Sequence, residues 1–165
     1  MTAQEIIASL SMHRHPEGGW YVETFRDSPE GGPHGERGNQ TAIYFLLEHG
    51  DMSAWHRVKD AAEIWHYHAG APIELKICPP GGKVSADVLG VDIAAGQRPQ
   101  CVVPAGWWQT ARSLGDWTLV GCTVSNSPSS SWRNRAGSRV RPLPRLPQPC
   151  ARRRSAILPP ERRRR

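Results

Sequence analysis

No window of this sequence approaches the roughly 18 consecutive apolar residues of a membrane span, and its first residues, MTAQEIIASLSMHRHPEGG, lack the apolar stretch of a secretion signal. The chain is therefore expected to be soluble and cytoplasmic, with no membrane partner. Its four cysteines, Cys78, Cys101, Cys122 and Cys150, form no CxxC pair. That argues against a zinc ribbon and a disulfide scaffold, and for buried thiols in a reducing compartment. An HExxH pair, a Gly-rich phosphate loop and internal repeats are also missing.

Lysine is absent from the last forty residues. Residues 126–165 hold twelve Arg and one acidic side chain, Glu161, a formal charge of +11. Residues 1–125 hold nine Lys+Arg against fourteen Asp+Glu, a formal charge of −5. The net charge of +6 thus belongs to the tail and not to the body. All seven histidines and every Trp except Trp132 lie in the body. An Arg, Pro and Ser composition cannot bury enough apolar surface to offset the entropy of ordering it. Residues 1–125 are expected to form one domain, and residues 126–165 a disordered tail.

Within the body, Thr2 and Glu5 make a capping-box pattern ahead of Ile6, Ile7 and Leu10, which predicts one short helix from about Ala3 to Met12. The period then changes to two, and Trp20–Arg26 reads as a strand. Residues 27–40 are rich in Gly and polar side chains and read as a long loop containing His34, of the kind that often serves as a lid or arm. Short strand-like runs follow at Thr41–Glu48, Ser53–Val58, Glu63–His68, Ile73–Cys78, Lys83–Leu89, Gln100–Val103, Trp108–Arg112 and Trp117–Ser125, separated by turn signals such as Pro79–Gly82. Many short strands without long helices predict an all-β sandwich or small barrel.

The ionisable and aromatic groups concentrate between Gly50 and Gly70, GDMSAWHRVKDAAEIWHYHAG. His56 lies six residues after Gly50, Glu63 seven after His56, and Gly70 seven after Glu63, while Pro104 and Gly106 precede Gln109. These spacings resemble the two motifs of the cupin superfamily, G-x5-H-x-H-x(3,4)-E-x6-G and P-x-G-x2-H. The segments HPEGGWYVETFRD at 15–27, AEIWHYHAGAPIEL at 62–75 and VVPAGWWQTAR at 102–112 are similar to the cupin-5 family, domains of unknown function allied to sugar-nucleotide epimerase-type cupins. The resemblance covers roughly residues 3–125. It implies a cupin jelly-roll β-barrel with one short N-terminal helix, a small-molecule ligand and a homodimer.

Many cupins hold a divalent metal through three His and one Glu. Here the second His position is Val58 and the last is Gln109, so no metal cofactor is expected; a metal, if present, would be held by His56, Glu63 and Gln109. Without one, a carboxylate beside an imidazole can orient it and stabilise its cation. His56 and Glu63 are the expected catalytic pair, His56 as base and Glu63 orienting it. The alternative is a mutually satisfied polar pair inherited from the fold. Period two sets Glu63, Trp65 and Tyr67 on the inner side of their strand, with His66 and His68 outside. Trp65, Tyr67, Trp108, Gln109 and Arg26, the last as an anion clamp, are the expected ligand contacts. The expected function is a metal-independent isomerase or epimerase acting on a small polar or sugar-like substrate, with Tyr44 or Tyr67 as candidate proton donor. The alternative is a non-catalytic metabolite-binding protein.

Beyond Ser125 the family's ending is not recognisable. Arg, Pro, Ser, Gly and Ala without Lys is what a GC-rich coding strand gives when read out of frame, so the tail is read as a frameshift product, which sequencing the locus tests. A basic arm for nucleic acid is the rival view. The body offers no matching basic surface pattern, and no specific nucleic-acid partner is expected.

Overall fold

A computed structural model describes residues 1–27 and 40–125. His34 in the long loop, Cys150 and everything read into the tail lie outside the described residues. The element order is α1 (Ala3–Ser9), β1 (His13–Arg14), β2 (Trp20–Arg26), β3 (Gln40–Glu48), β4 (Ala62–Gly70), β5 (Ile73–Cys78), β6 (Ser85–Leu89), β7 (Gln100–Val103), β8 (Trp108–Ser113) and β9 (Trp117–Ser125). A six-stranded sheet runs β1-β2-β3-β9-β4-β7 and faces a three-stranded sheet, β6-β5-β8; every strand pairing is antiparallel. This is the all-β cupin barrel that the motifs imply.

Alternation along the strands builds the interior. Phe45, Leu47, Trp65, Val103 and Val120 come from the large sheet and meet Ile73, Leu75, Ile77, Leu89 and Ala111 from the small one. On the outer face of the large sheet α1 packs against Leu46 and its neighbours. The Thr2 hydroxyl accepts from Glu5 N, the Glu5 carboxylate accepts from Thr2 N, and Ile6 then seats against Leu46 and Met12. The helix ends at Ser9, short of the expected Met12, and the two-residue β1 follows Ser11, whose φ of 52° breaks the helical path.

One expected strand is absent. The 53–58 run makes only isolated bridges, Met52 with Arg112 and His56 with Gln109, all on β8 or beside it. It follows β8 only in part: Ser53 N donates to Ala111 O at 3.0 Å, and His56 and Gln109 exchange backbone bonds of 3.1 and 2.9 Å. Between them the ladder is interrupted, because the Ser53 hydroxyl accepts from Ala111 N at 2.9 Å, Thr110 donates to Ser53 O at 2.5 Å and Ala54 N donates to Glu17 O at 2.6 Å.

Candidate functional site

On β4, period two turns Glu63 and Trp65 into the barrel, where they are 7% and 1% exposed. On β8 it turns Gln109 inward, 0% exposed, and Trp108 outward, 39% exposed. The Trp65 indole N–H can only donate, and it donates to Gln109 Oε1 at 2.9 Å. That fixes the carboxamide, whose NH2 group donates to Glu63 Oε2. The Cys122 thiol, from β9, hydrogen-bonds the same carboxyl. Burial pushes Glu63 above the usual carboxylate range, while the Gln109 bond, the nearby His56 and the Cys122 bond pull against it. Burial, then the Glu63 carboxyl, pushes the Cys122 thiol well up. Burial in this floor thus disfavours the ionised form of both groups.

The opposite wall comes from two non-strand segments. His15 and Glu17 sit in the turn between β1 and β2, and His56 in the segment bridged to β8. Glycine makes the turn possible. Gly18 and Gly19 have φ of 101° and 74°, and a Cβ there would come within 2.9 Å of the Met52 carbonyl oxygen and 2.7 Å of the Leu46 one. His56 Nδ1 lies 2.8 Å from Ala54 O and 3.3 Å from Glu17 Oε2. Its Nε2 has no partner among the described residues. Glu17 N donates to His15 Nδ1 at 3.1 Å, and the Tyr21 and Phe45 rings meet His15 edge-on, centroids 4.8 and 5.5 Å away. Burial holds His15 below the usual imidazole range; Glu17 pulls it back up and His56 adds to the lowering.

Between floor and wall lies a cavity of about 250 Å³, lined among others by His15, Glu17, Phe45, His56, Glu63 and Trp65. Of the expected site residues, His56, Glu63 and Trp65 line it, and Gln109 stands behind Glu63. Tyr67, Trp108 and Arg26 are not in its lining. Tyr67 packs against the inner cluster and its hydroxyl donates to the Gly70 carbonyl, at 2.5 Å. Trp108 lies outside under the Arg57 guanidinium, 4.9 Å from the ring centroid. Arg26 Nε donates to Glu23 Oε1 at 3.0 Å. Tyr44 is on the other face of the sheet, edge-on to His68. The carboxylate within reach of the His56 Nδ1 is Glu17, a part that the sequence reading gave to Glu63. His15 and Glu17 were missed as site residues; their signal was the HPEGG run itself, a His and an acid two apart before paired glycines.

The donor set that a cupin metal would use does not fit one here. Gln109, at the position of the last His, has its oxygen committed to Trp65 and its nitrogen to Glu63, which leaves His56 and Glu63 where stable first shells use three or more protein groups. Among the described residues no group of three or more His, Cys, Asp or Glu is placed to hold a metal. No described helix is long and apolar enough to cross a membrane.

Known proteins bear on this geometry. The family described as cupin superfamily (DUF985) matches residues 4–128. A protein from Shewanella oneidensis of known crystal structure is 37% identical, with a TM-score of 0.69 over 76% of this chain and 78% of that one. A hypothetical protein from Leishmania major is 28% identical, with a TM-score of 0.68 over 76% of this chain and 82% of that one. Oxalate decarboxylase from Bacillus subtilis shares the fold, at 16% identity and a TM-score of 0.51 over 70% of this chain and 28% of that one. No curated protein matches the sequence.

Proposed function

The chain belongs to the cupin-5 family of the cupin superfamily, and on that premise we propose that its pocket takes a small polar metabolite in the cytoplasm and moves a proton within it, as a metal-independent isomerase or epimerase does. The observation that carries this reading is the division of labour on His56. Ala54 O can only accept, so Nδ1 holds the ring proton, and the unpartnered Nε2 is left with its lone pair. Glu17 stands beside Nδ1 to stabilise the cation that forms when Nε2 takes a proton. Glu63, favoured in its protonated form by burial, is the acid that returns one. The cavity, about 250 Å³, is below the roughly 300–1,000 Å³ of drug-sized sites. It suits a ligand of about one sugar ring better than a sugar nucleotide.

One observation favours the non-catalytic reading: neither Tyr44 nor Tyr67 lines the cavity to act as a proton donor. Proton NMR of dihydroxyacetone and glyceraldehyde incubated with the purified full chain in D2O separates the two. Exchange of carbon-bound hydrogen, lost in His56→Gln, is the expected result. Binding without exchange moves the protein to the metabolite-binding class, and neither binding nor exchange across a panel of small sugars and hydroxy acids overturns both. The homodimer implied by the resemblance is part of the proposal, and light scattering on the purified chain tests it.

A further inference from the structure

The hydrogen bonds at the two imidazoles of the pocket call for opposite tautomers. A backbone amide can only donate, so the bond from Glu17 N requires a bare His15 Nδ1 and puts the His15 proton on Nε2. A backbone carbonyl can only accept, so the contact with Ala54 O requires a protonated His56 Nδ1 and leaves Nε2 bare. Glu17 serves both rings: its backbone N–H bonds His15 Nδ1, and its carboxylate stands nearer to His56 Nδ1, at 3.3 Å, than to His15 Nδ1, at 4.0 Å. Neither Nε2 has a partner among the described residues, and both rings line the same cavity.

We propose that His15 is a ligand-contacting hydrogen-bond donor, paired with His56 as acceptor, and that the pair selects a small aldehyde or ketone carrying a hydrogen on the carbon next to its carbonyl. The inference rests on the proton-transfer reading above and adds the substrate class. As the C–H bond breaks, its proton passes to His56 Nε2 and its electron pair moves through the new C=C bond onto the carbonyl oxygen. His15 Nε2–H donates to that oxygen as its charge grows. Return of a proton to carbon restores the carbonyl, with no oxidant, reductant or co-reactant. A neutral imidazole suits this part, because it donates without giving its proton away. Burial, which keeps His15 neutral at pH 7, and the edge-on Tyr21 and Phe45 rings, which fix its plane, act together.

Two measurements on the full chain test this. Long-range proton–nitrogen NMR correlations at pH 7 are expected to find His15 protonated at Nε2 only and His56 at Nδ1 only. A charged His15, or one protonated at Nδ1, overturns the inference while leaving His56 as base; the wrong tautomer at His56 instead overturns the proton-transfer reading. In D2O with dihydroxyacetone as probe, His15→Phe is expected to slow hydrogen exchange by about 10²–10³-fold, the usual cost of one lost oxyanion donor. His15→Gln, whose amide nitrogen falls near the lost Nε2, is expected to stay within about tenfold of the parent. A folded His15→Phe that exchanges at the parent rate, or equal loss in both variants, overturns the inference.

Discussion

Each end of the barrel interior carries one buried polar connection between the two sheets, and the two are built differently. At one end Thr118, 0% exposed, shares a 2.8 Å hydroxyl contact with Ser113 and donates to Ala71 O at 2.8 Å, among Leu47, Ile73 and Leu89. Every group there is neutral and partnered. At the other end Glu63, Gln109 and Trp65 form the connection, and the carboxyl faces two imidazoles whose Nε2 atoms have no described partner. The Thr118 end demonstrates that this barrel can join its sheets with neutral hydroxyls. Packing alone therefore does not require an ionisable group in the Glu63 end, which supports the proposal of a ligand there.

Substitutions at each end test the difference between them. The largest loss is expected from Trp65→Ala, about 3–5 kcal/mol, because it opens a void and strips the Gln109 oxygen of its donor. Leu75→Ala, deeper in the shared core, is expected to cost about 2–5 kcal/mol, and denaturant titration compares the two. Next comes Glu63→Gln, whose effect depends on pH. A carboxyl raised by burial binds its proton more tightly folded than unfolded, so its contribution is complete below the ordinary carboxylate range and is lost as pH rises through the folded-state value. At pH 5 the variant is expected within about 1 kcal/mol of the parent, since the new carboxamide still accepts from Gln109. By pH 8 the parent should have lost stability relative to the variant; parallel stability curves from pH 5 to 8 would remove the contrast between the ends. Thr118→Val is expected to cost about 1 kcal/mol at every pH over that range. Arg26→Ala, at an exposed ion pair, is expected to cost less than about 1 kcal/mol and to leave probe exchange unchanged.

How much of this was legible follows from how local each feature is. Period two was enough for β2, β3, β4, β5, β7 and β9, and for sending Glu63 and Trp65 inward, because a strand's faces are set by its own residues. Tyr67 follows the same rule and packs against the inner cluster, but its hydroxyl bonds the Gly70 carbonyl and the ring does not line the cavity, a contact that the strand's own period does not foretell. His15 and Glu17 looked like part of a turn because their roles are completed by Ala54 and His56, some forty residues away. The 53–58 run had a strand's composition and does touch β8 at Ser53 and His56, but the Ser53 hydroxyl and the Glu17 carbonyl, neither a ladder partner, interrupt the pairing between them. A two-residue β1 is too short to have a period at all.

For a protein engineer, the doubly committed Gln109 carboxamide makes this barrel hard to convert into a metalloenzyme by single steps. Gln109→His supplies a ligand only by orphaning the Trp65 indole and one Glu63 oxygen, each a buried group whose lost partner costs about 1–3 kcal/mol. Val58, in the cavity lining, would have to become the second imidazole, and Trp65→Phe would be needed to remove the stranded donor. One side-chain amide thus stands between this barrel and a metal site.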